Sequence, residues 1–244
     1  MCVIIGKPEW EALPSLDVIE NCFENNPDGA GFMYRLDNAV KIRKGFMTLQ
    51  DLLAALETEG INEKHEVIYH FRIATAGSVK PENCHPFPAS ADMEKLRGKS
   101  ITTDYGIAHN GILNYQEDKI NDLSDTMSFI KDFLSDKAIV STFHEKQIQE
   151  ALKPIISGSK FAVMTPYETH LAGDFIEDNG LFYSNTSYKK QTRVISAWWD
   201  DYLYENINSA EDNAACKVCG YVSMPEEEDY YISGDICLHC GSWK

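Results

Sequence analysis

Four cysteines near one end of this 244-residue chain dictate what that end can fold into. Cys216 and Cys219, then Cys237 and Cys240, form C-x2-C-x17-C-x2-C, and a glycine follows each pair. Each C-x2-C curls so that both sulfurs face one point. Four thiolates suit tetrahedral zinc with no open coordination position, so the predicted site is structural. A redox dithiol and an iron site are the other uses of the pattern. A segment this short cannot build much of a core, so metal binding supplies most of its folding energy. Its loop carries Glu226, Glu227, Glu228 and Asp229. Those charges disfavour a phosphate backbone. Tyr230, Tyr231 and Trp243 instead suit packing on the main domain or a partner protein.

The sequence divides into a main domain at 2–200, an acidic linker at 201–213 and the zinc ribbon at 214–244. A net charge of −16 speaks against non-specific contact with nucleic acid or anionic membrane. No stretch reaches the length of a membrane span, and no signal-like segment opens the chain. A cytoplasmic protein is expected, with its seven cysteines serving as thiols or metal ligands rather than disulfides.

Local patterns give the elements of the main domain. Residues 2–6 read as a buried strand ended by Gly6. Leu16, Ile19, Cys22 and Phe23 share one face of a helix over 14–26. Gly31–Tyr34 and Ala39–Arg43 read as a strand pair around Leu36-Asp37-Asn38. A helix capped by Thr48 and closed by Gly60 spans 48–59, with a stripe of leucines. Glu66–Ile73 reads as a strand, 77–100 as loop, and Ile101–His109 as one strand entering the turn at Asn110-Gly111. A helix starts near Ser124 and another covers 144–156. Short strands follow at 161–164, 169–172, 181–183 and 193–196. Strands and helices come in blocks, which predicts an α+β fold rather than a doubly wound sheet.

Cys2 is the first candidate for chemistry. Initiator methionine is usually trimmed before a small residue. Trimming leaves a thiol and a free α-amine on one residue, and an amine with a pKa of ~8 can act as that thiol's base. Other segments fall in line behind it. They are Asn26-Pro27-Asp28-Gly29-Ala30-Gly31-Phe32, His70-Phe71-Arg72-Ile73-Ala74-Thr75-Ala76-Gly77, Asn83-Cys84-His85-Pro86-Phe87, Ala108-His109-Asn110-Gly111 and Ser124-Asp125-Thr126. Alone, Arg72 reads as a surface ion-pair partner and Asp125 as a helix N-terminal acid. In this order after Cys2, the set resembles the class II glutamine amidotransferase domain of the N-terminal-nucleophile hydrolases, over about residues 2–200.

The resemblance implies a four-layer αββα sandwich and a role for each residue. Cys2 attacks the glutamine γ-carboxamide and Asn110 and Gly111 stabilise the oxyanion. Arg72 grips the substrate α-carboxylate and Asp125 its α-ammonium. Thr75 and Gly77 frame the pocket. His70, Cys22 and Cys84 are expected to pack, and the histidine of "HNG" to be structural. Biosynthetic members carry an arginine where this chain has Asn25, and the segment is nearer stand-alone members despite Ala30 in place of their tryptophan. The expected activity is a glutaminase that releases ammonia to a partner synthetase or ligase, docked partly through the ribbon. The alternatives are a γ-glutamyl amidohydrolase and a catalytically silent glutamine-binding module.

Overall fold

The structure, a computed structural model, describes residues 2–74 and 77–190. Over that range the chain runs β1 (Val3–Lys7), α1 (Leu16–Asn25), β2 (Ala30–Leu36), β3 (Ala39–Phe46), α2 (Leu49–Thr58), β4 (Val67–Phe71), β5 (Phe87–Pro88), α3 (Met93–Arg97), β6 (Ser100–Thr103), β7 (Gly106–Asn110), α4 (Asp125–Phe129), α5 (Lys137–Thr142), α6 (Lys146–Ile156), β8 (Lys160–Met164), β9 (Thr169–Ala172), β10 (Ile176–Asp178) and β11 (Leu181–Tyr183). The fold is α+β, as the blocked order of elements predicts. The strand expected at 193–196, the linker at 201–213, the ribbon at 214–244 and Thr75 lie outside the described residues.

The strands form two antiparallel sheets. Seven follow the order β10-β11-β1-β4-β2-β3-β6, and four the order β5-β7-β8-β9. Side chains alternate across a strand, and here the alternation sorts three cores. Val3, Ile5, Phe32, Tyr34, Val67, Tyr69 and Phe71 pack with Ile19 and Cys22 of α1 and Leu52 and Ala55 of α2. Their neighbours in sequence, Ile4, Met33 and Ile68, pack with Ala108, Ala162 and Met164 of the smaller sheet. The odd-numbered residues of that sheet, Ile107, Phe161 and Val163, pack with Leu96, Met127, Phe129 and Val140 from the remaining helical segments. The central strands β1, β4 and β7 are thus buried along their whole length. That explains why these strands are largely apolar on both faces.

Helices α1 and α2 behave as their sequences dictate. Ser15 caps α1 by accepting from Val18 N, and Thr48 caps α2 by accepting from Asp51 N. Gly60 follows α2 at φ +65°, a left-handed position that suits glycine. Cys22 is wholly buried, although Leu16 of the same predicted stripe is exposed.

Three local expectations need correction. Gly6 does not end the first strand, which runs on through Lys7. The loop read over 77–100 contains β5 and α3. The single strand read over 101–109 is two strands in different sheets. The Thr103 hydroxyl bonds both the N–H and the C=O of Tyr105, at 3.4 and 3.3 Å, which turns the chain out of β6. β7 then enters the second sheet at Gly106. A Cβ there would lie 2.5 Å from Met33 Sδ and 3.1 Å from Val40 Cγ1, so the close approach of the sheets requires glycine. Among the described residues no helix is long and apolar enough to cross a membrane.

Candidate active site

Strand pairing sets the site at one end of the layer between the sheets. β1 and β4 are antiparallel with Val3 opposite Phe71. Cys2 and Arg72 therefore leave neighbouring strands side by side. A small cavity of about 30 Å³ opens there, lined among others by Cys2, Arg72, His85, Gly111 and Asp125. That volume is on the scale of a water molecule, well below that of an amino acid. Asn110 precedes Gly111 at the end of β7, and its side chain is buried beside the cavity wall rather than lining it. Gly77, at φ +71°, lies beside the wall residue Ser124: a Cβ added to Gly77 would sit 3.3 Å from Ser124 Cβ.

The Cys2 thiol is half-buried. Ile73 N donates to Sγ at 3.4 Å, and Sγ lies 3.4 Å from Ile73 O. Burial raises the thiol pKa; the Ile73 contact, Arg72 and the chain's terminal amine pull it down but do not offset burial. The resting sulfur is a neutral thiol, which needs a base to react.

Arg72 is almost wholly buried. Its guanidinium donates to Ser78 O at 3.1 Å. Its backbone is braced by the Asp28-Gly29 segment: Arg72 N donates to Gly29 O at 2.8 Å and Asp28 N to Arg72 O at 2.9 Å. Asp28 Oδ2 also accepts from Ala74 N at 2.7 Å. Sequence reading assigned this acid no role. Its work is to hold the chain that presents Arg72. Gly31 allows close passage of the His85 carbonyl, which a Cβ would strike.

Asp125 opens α4, capped by Ser124. Its carboxylate accepts from Leu113 N at 3.2 Å and Thr126 N at 2.7 Å. Both loops that flank Gly111 and α4 are thereby tied to it. From Thr126 a chain of contacts runs inward: the hydroxyl lies 2.8 Å from His109 Nδ1, and His109 Nε2 lies 3.0 Å from Ser159 Oγ. His109 thus spans the wall under Gly111 and also lines the cavity. Gly111 sits at φ +147°, and a Cβ there would lie 2.6 Å from Ser159 Oγ and 2.8 Å from its Cα. Gly111→Ala is expected to lose roughly 1–3 kcal/mol of stability by chemical denaturation, from strain and overpacking together.

Three buried histidines cluster at the cavity, with His85 and His109 in its lining and His70 stacked on His85. His70 stacks on His85 with ring centroids 4.3 Å apart, and His70 Nε2 bonds His109 O at 2.9 Å. Burial pushes the pKa of His70 and of His109 down to about 3, and that of His85 well below its usual value. All three are neutral when folded. The unfolded chain takes up their protons near pH 6.5, so their contribution to stability is full above that value and lost as pH falls towards 3. Acid titration is expected to cost about 2 kcal/mol per histidine by pH 5. Replacing His70 with a neutral amide should flatten that slope.

The structure thus gathers Cys2, Arg72, Gly111 and Asp125, with Asn110 and Gly77 against the wall. Thr75 and the four ribbon cysteines lie outside the described residues. No family model matches the chain, and no curated protein matches it.

Proposed function

We propose that the chain is a class II glutamine amidotransferase-type glutaminase whose nucleophile is Cys2 once Met1 is removed. One observation carries the proposal. Cys2, Arg72, Gly111 and Asp125 come from four separate stretches of sequence and line one cavity. The three cores between and outside the two sheets support the four-layer αββα reading.

The chemistry follows from the residues. Sγ of Cys2 attacks the γ-carbonyl carbon of glutamine, and the α-amine of Cys2 takes the thiol proton. The carbonyl oxygen becomes an oxyanion, stabilised by the Asn110 amide and the Gly111 N–H. Collapse of the intermediate breaks the C–N bond. The amine returns the proton to the departing nitrogen, which leaves as ammonia. Water then attacks the γ-glutamyl thioester to give glutamate and free thiol. Arg72 and Asp125 pair with the α-carboxylate and α-ammonium, and so select an unmodified amino-acid end.

The test begins with intact mass, to establish loss of Met1. A glutamine-like diazo-ketone electrophile should then label Cys2. Met1-free protein that takes no label there is not an enzyme of this type. Turnover of glutamine against a γ-glutamyl peptide separates the glutaminase from a γ-glutamyl amidohydrolase, which would use the same Cys2, Arg72, Asn110 and Asp125.

For the C-terminal segment we propose a structural zinc site of Cys216, Cys219, Cys237 and Cys240, and docking of a synthetase or ligase that receives the ammonia. One zinc per chain is expected by metal analysis, with loss of that zinc in Cys216→Ser. Full zinc retention in that variant would remove Cys216 from the site.

A further inference from the structure

Asn110 Oδ1 is buried and has no hydrogen-bond partner among the described residues. The other end of the same amide lies 2.9 Å from Ser184 Oγ. Ser184 follows β11 and is wholly buried. Its hydroxyl also receives Ile4 N at 2.8 Å, while Ser184 N donates to Ile4 O at 3.0 Å. The next residue completes the clamp, since Asn185 Nδ2 donates to Cys2 O at 2.6 Å.

The hydrogen inventory decides which way the amide faces, because its oxygen and nitrogen have the same shape. With Nδ2 towards Ser184, the hydroxyl oxygen accepts twice. Its own hydrogen then has no acceptor in the described network, and Oδ1 stays orphaned. With the amide turned over, the Ser184 hydroxyl accepts from Ile4 N and donates to Oδ1. All the unmet capacity then sits on one group, the Asn110 N–H2 beside Gly111. A buried donor with no partner at rest is what an oxyanion hole requires.

We propose that Ser184 is a positioning residue: its hydroxyl turns the Asn110 amide nitrogen towards the developing oxyanion and ties it to the strand that carries Cys2. The inference rests on the glutaminase reading, and its test separates the two. The test compares Met1-free wild type, Ser184→Ala, Asn110→Ala and the double variant on glutamine. Ser184→Ala should lower kcat about 10-fold with KM little changed, because the amide remains but is free to rotate. In the Asn110→Ala background the same change should have almost no further effect. Effects that multiply in the double variant, or a Ser184→Ala loss confined to KM, would overturn the role. Neutron diffraction of the wild type gives a readout independent of turnover and of how the variants fold. Deuterium on the Asn110 atom away from Ser184 is expected; deuterium on the atom facing Ser184 would also overturn it. If Met1-free wild type turns over neither glutamine nor a γ-glutamyl peptide, the glutaminase reading itself fails, and the catalytic role of Ser184 with it.

Discussion

Cys2→Ala is expected to lower glutamine turnover by about 10⁴-fold or more, with the fold intact. The magnitude is that of removing a nucleophile from a unit that acts together. The fold should tolerate the change because, among the described residues, the thiol's hydrogen-bond contacts are two long ones to Ile73, at 3.4 Å. A second variant separates this chemistry from that of an ordinary cysteine enzyme. Inserting a bulky residue between Met1 and Cys2 blocks trimming and leaves the thiol in place. The α-nitrogen of Cys2 is then an amide and cannot take a proton. The inserted variant should be about as inactive as Cys2→Ala, and retained turnover in it would show that the base lies elsewhere. The thiol's raised pKa makes this comparison sharp. Little thiolate exists at neutral pH, so attack depends on a base. With the amine as that base, kcat/KM should rise with pH through the amine's pKa of ~8 and fall below it. A profile that instead rises to higher pH, tracking the buried thiol, would favour direct ionisation.

The parts of this molecule that were legible in its sequence are those written in local pattern. Thr48 and Gly60 mark α2 because a cap and a left-handed exit leave local signatures. The order of the motifs grouped Cys2, Arg72, Gly111 and Asp125, which the structure places on one cavity, and Asn110, which lies beside its wall. The break between β6 and β7 was not. Ile101-Thr102-Thr103 and Ile107-Ala108-His109 both read as extended chain on either side of the break, and the turn depends on one threonine hydroxyl. The need for Gly106 arises from Met33 and Val40, far away in sequence. Ser184 and Asn185 were silent for the same reason. Nothing in Tyr183-Ser184-Asn185-Thr186 signals a site until β11 pairs with β1 and places them beside Ile4 and Cys2. Asp28 stood in a motif with no role of its own, and its bond to Ala74 N exists only because β2 pairs with β4.

Asp125→Asn is expected to lower kcat/KM for glutamine by about 10²–10³-fold, almost all of it in KM. The carboxylate is buried at the cavity wall, and removing one partner of a desolvated charge pair typically costs about 2–5 kcal/mol. The difficulty is that Asp125 also holds the fold. Its two oxygens accept separately from Leu113 N and Thr126 N. An asparagine offers only one oxygen, so some loss of stability accompanies the change, and a fall in activity alone would not identify the cause. The substrate resolves this. Glutaramic acid keeps the γ-carboxamide and the carboxylate but lacks the α-ammonium. Wild type should handle it as poorly as Asp125→Asn handles glutamine, because each pairing lacks the same interaction. The variant should then show little further loss on glutaramic acid, since the interaction is already gone. If Asp125→Asn instead lowers activity equally on both substrates, the aspartate acts through Leu113 and α4 alone. Selection for a free amino-acid end would then have to come from Arg72 and the carboxylate side.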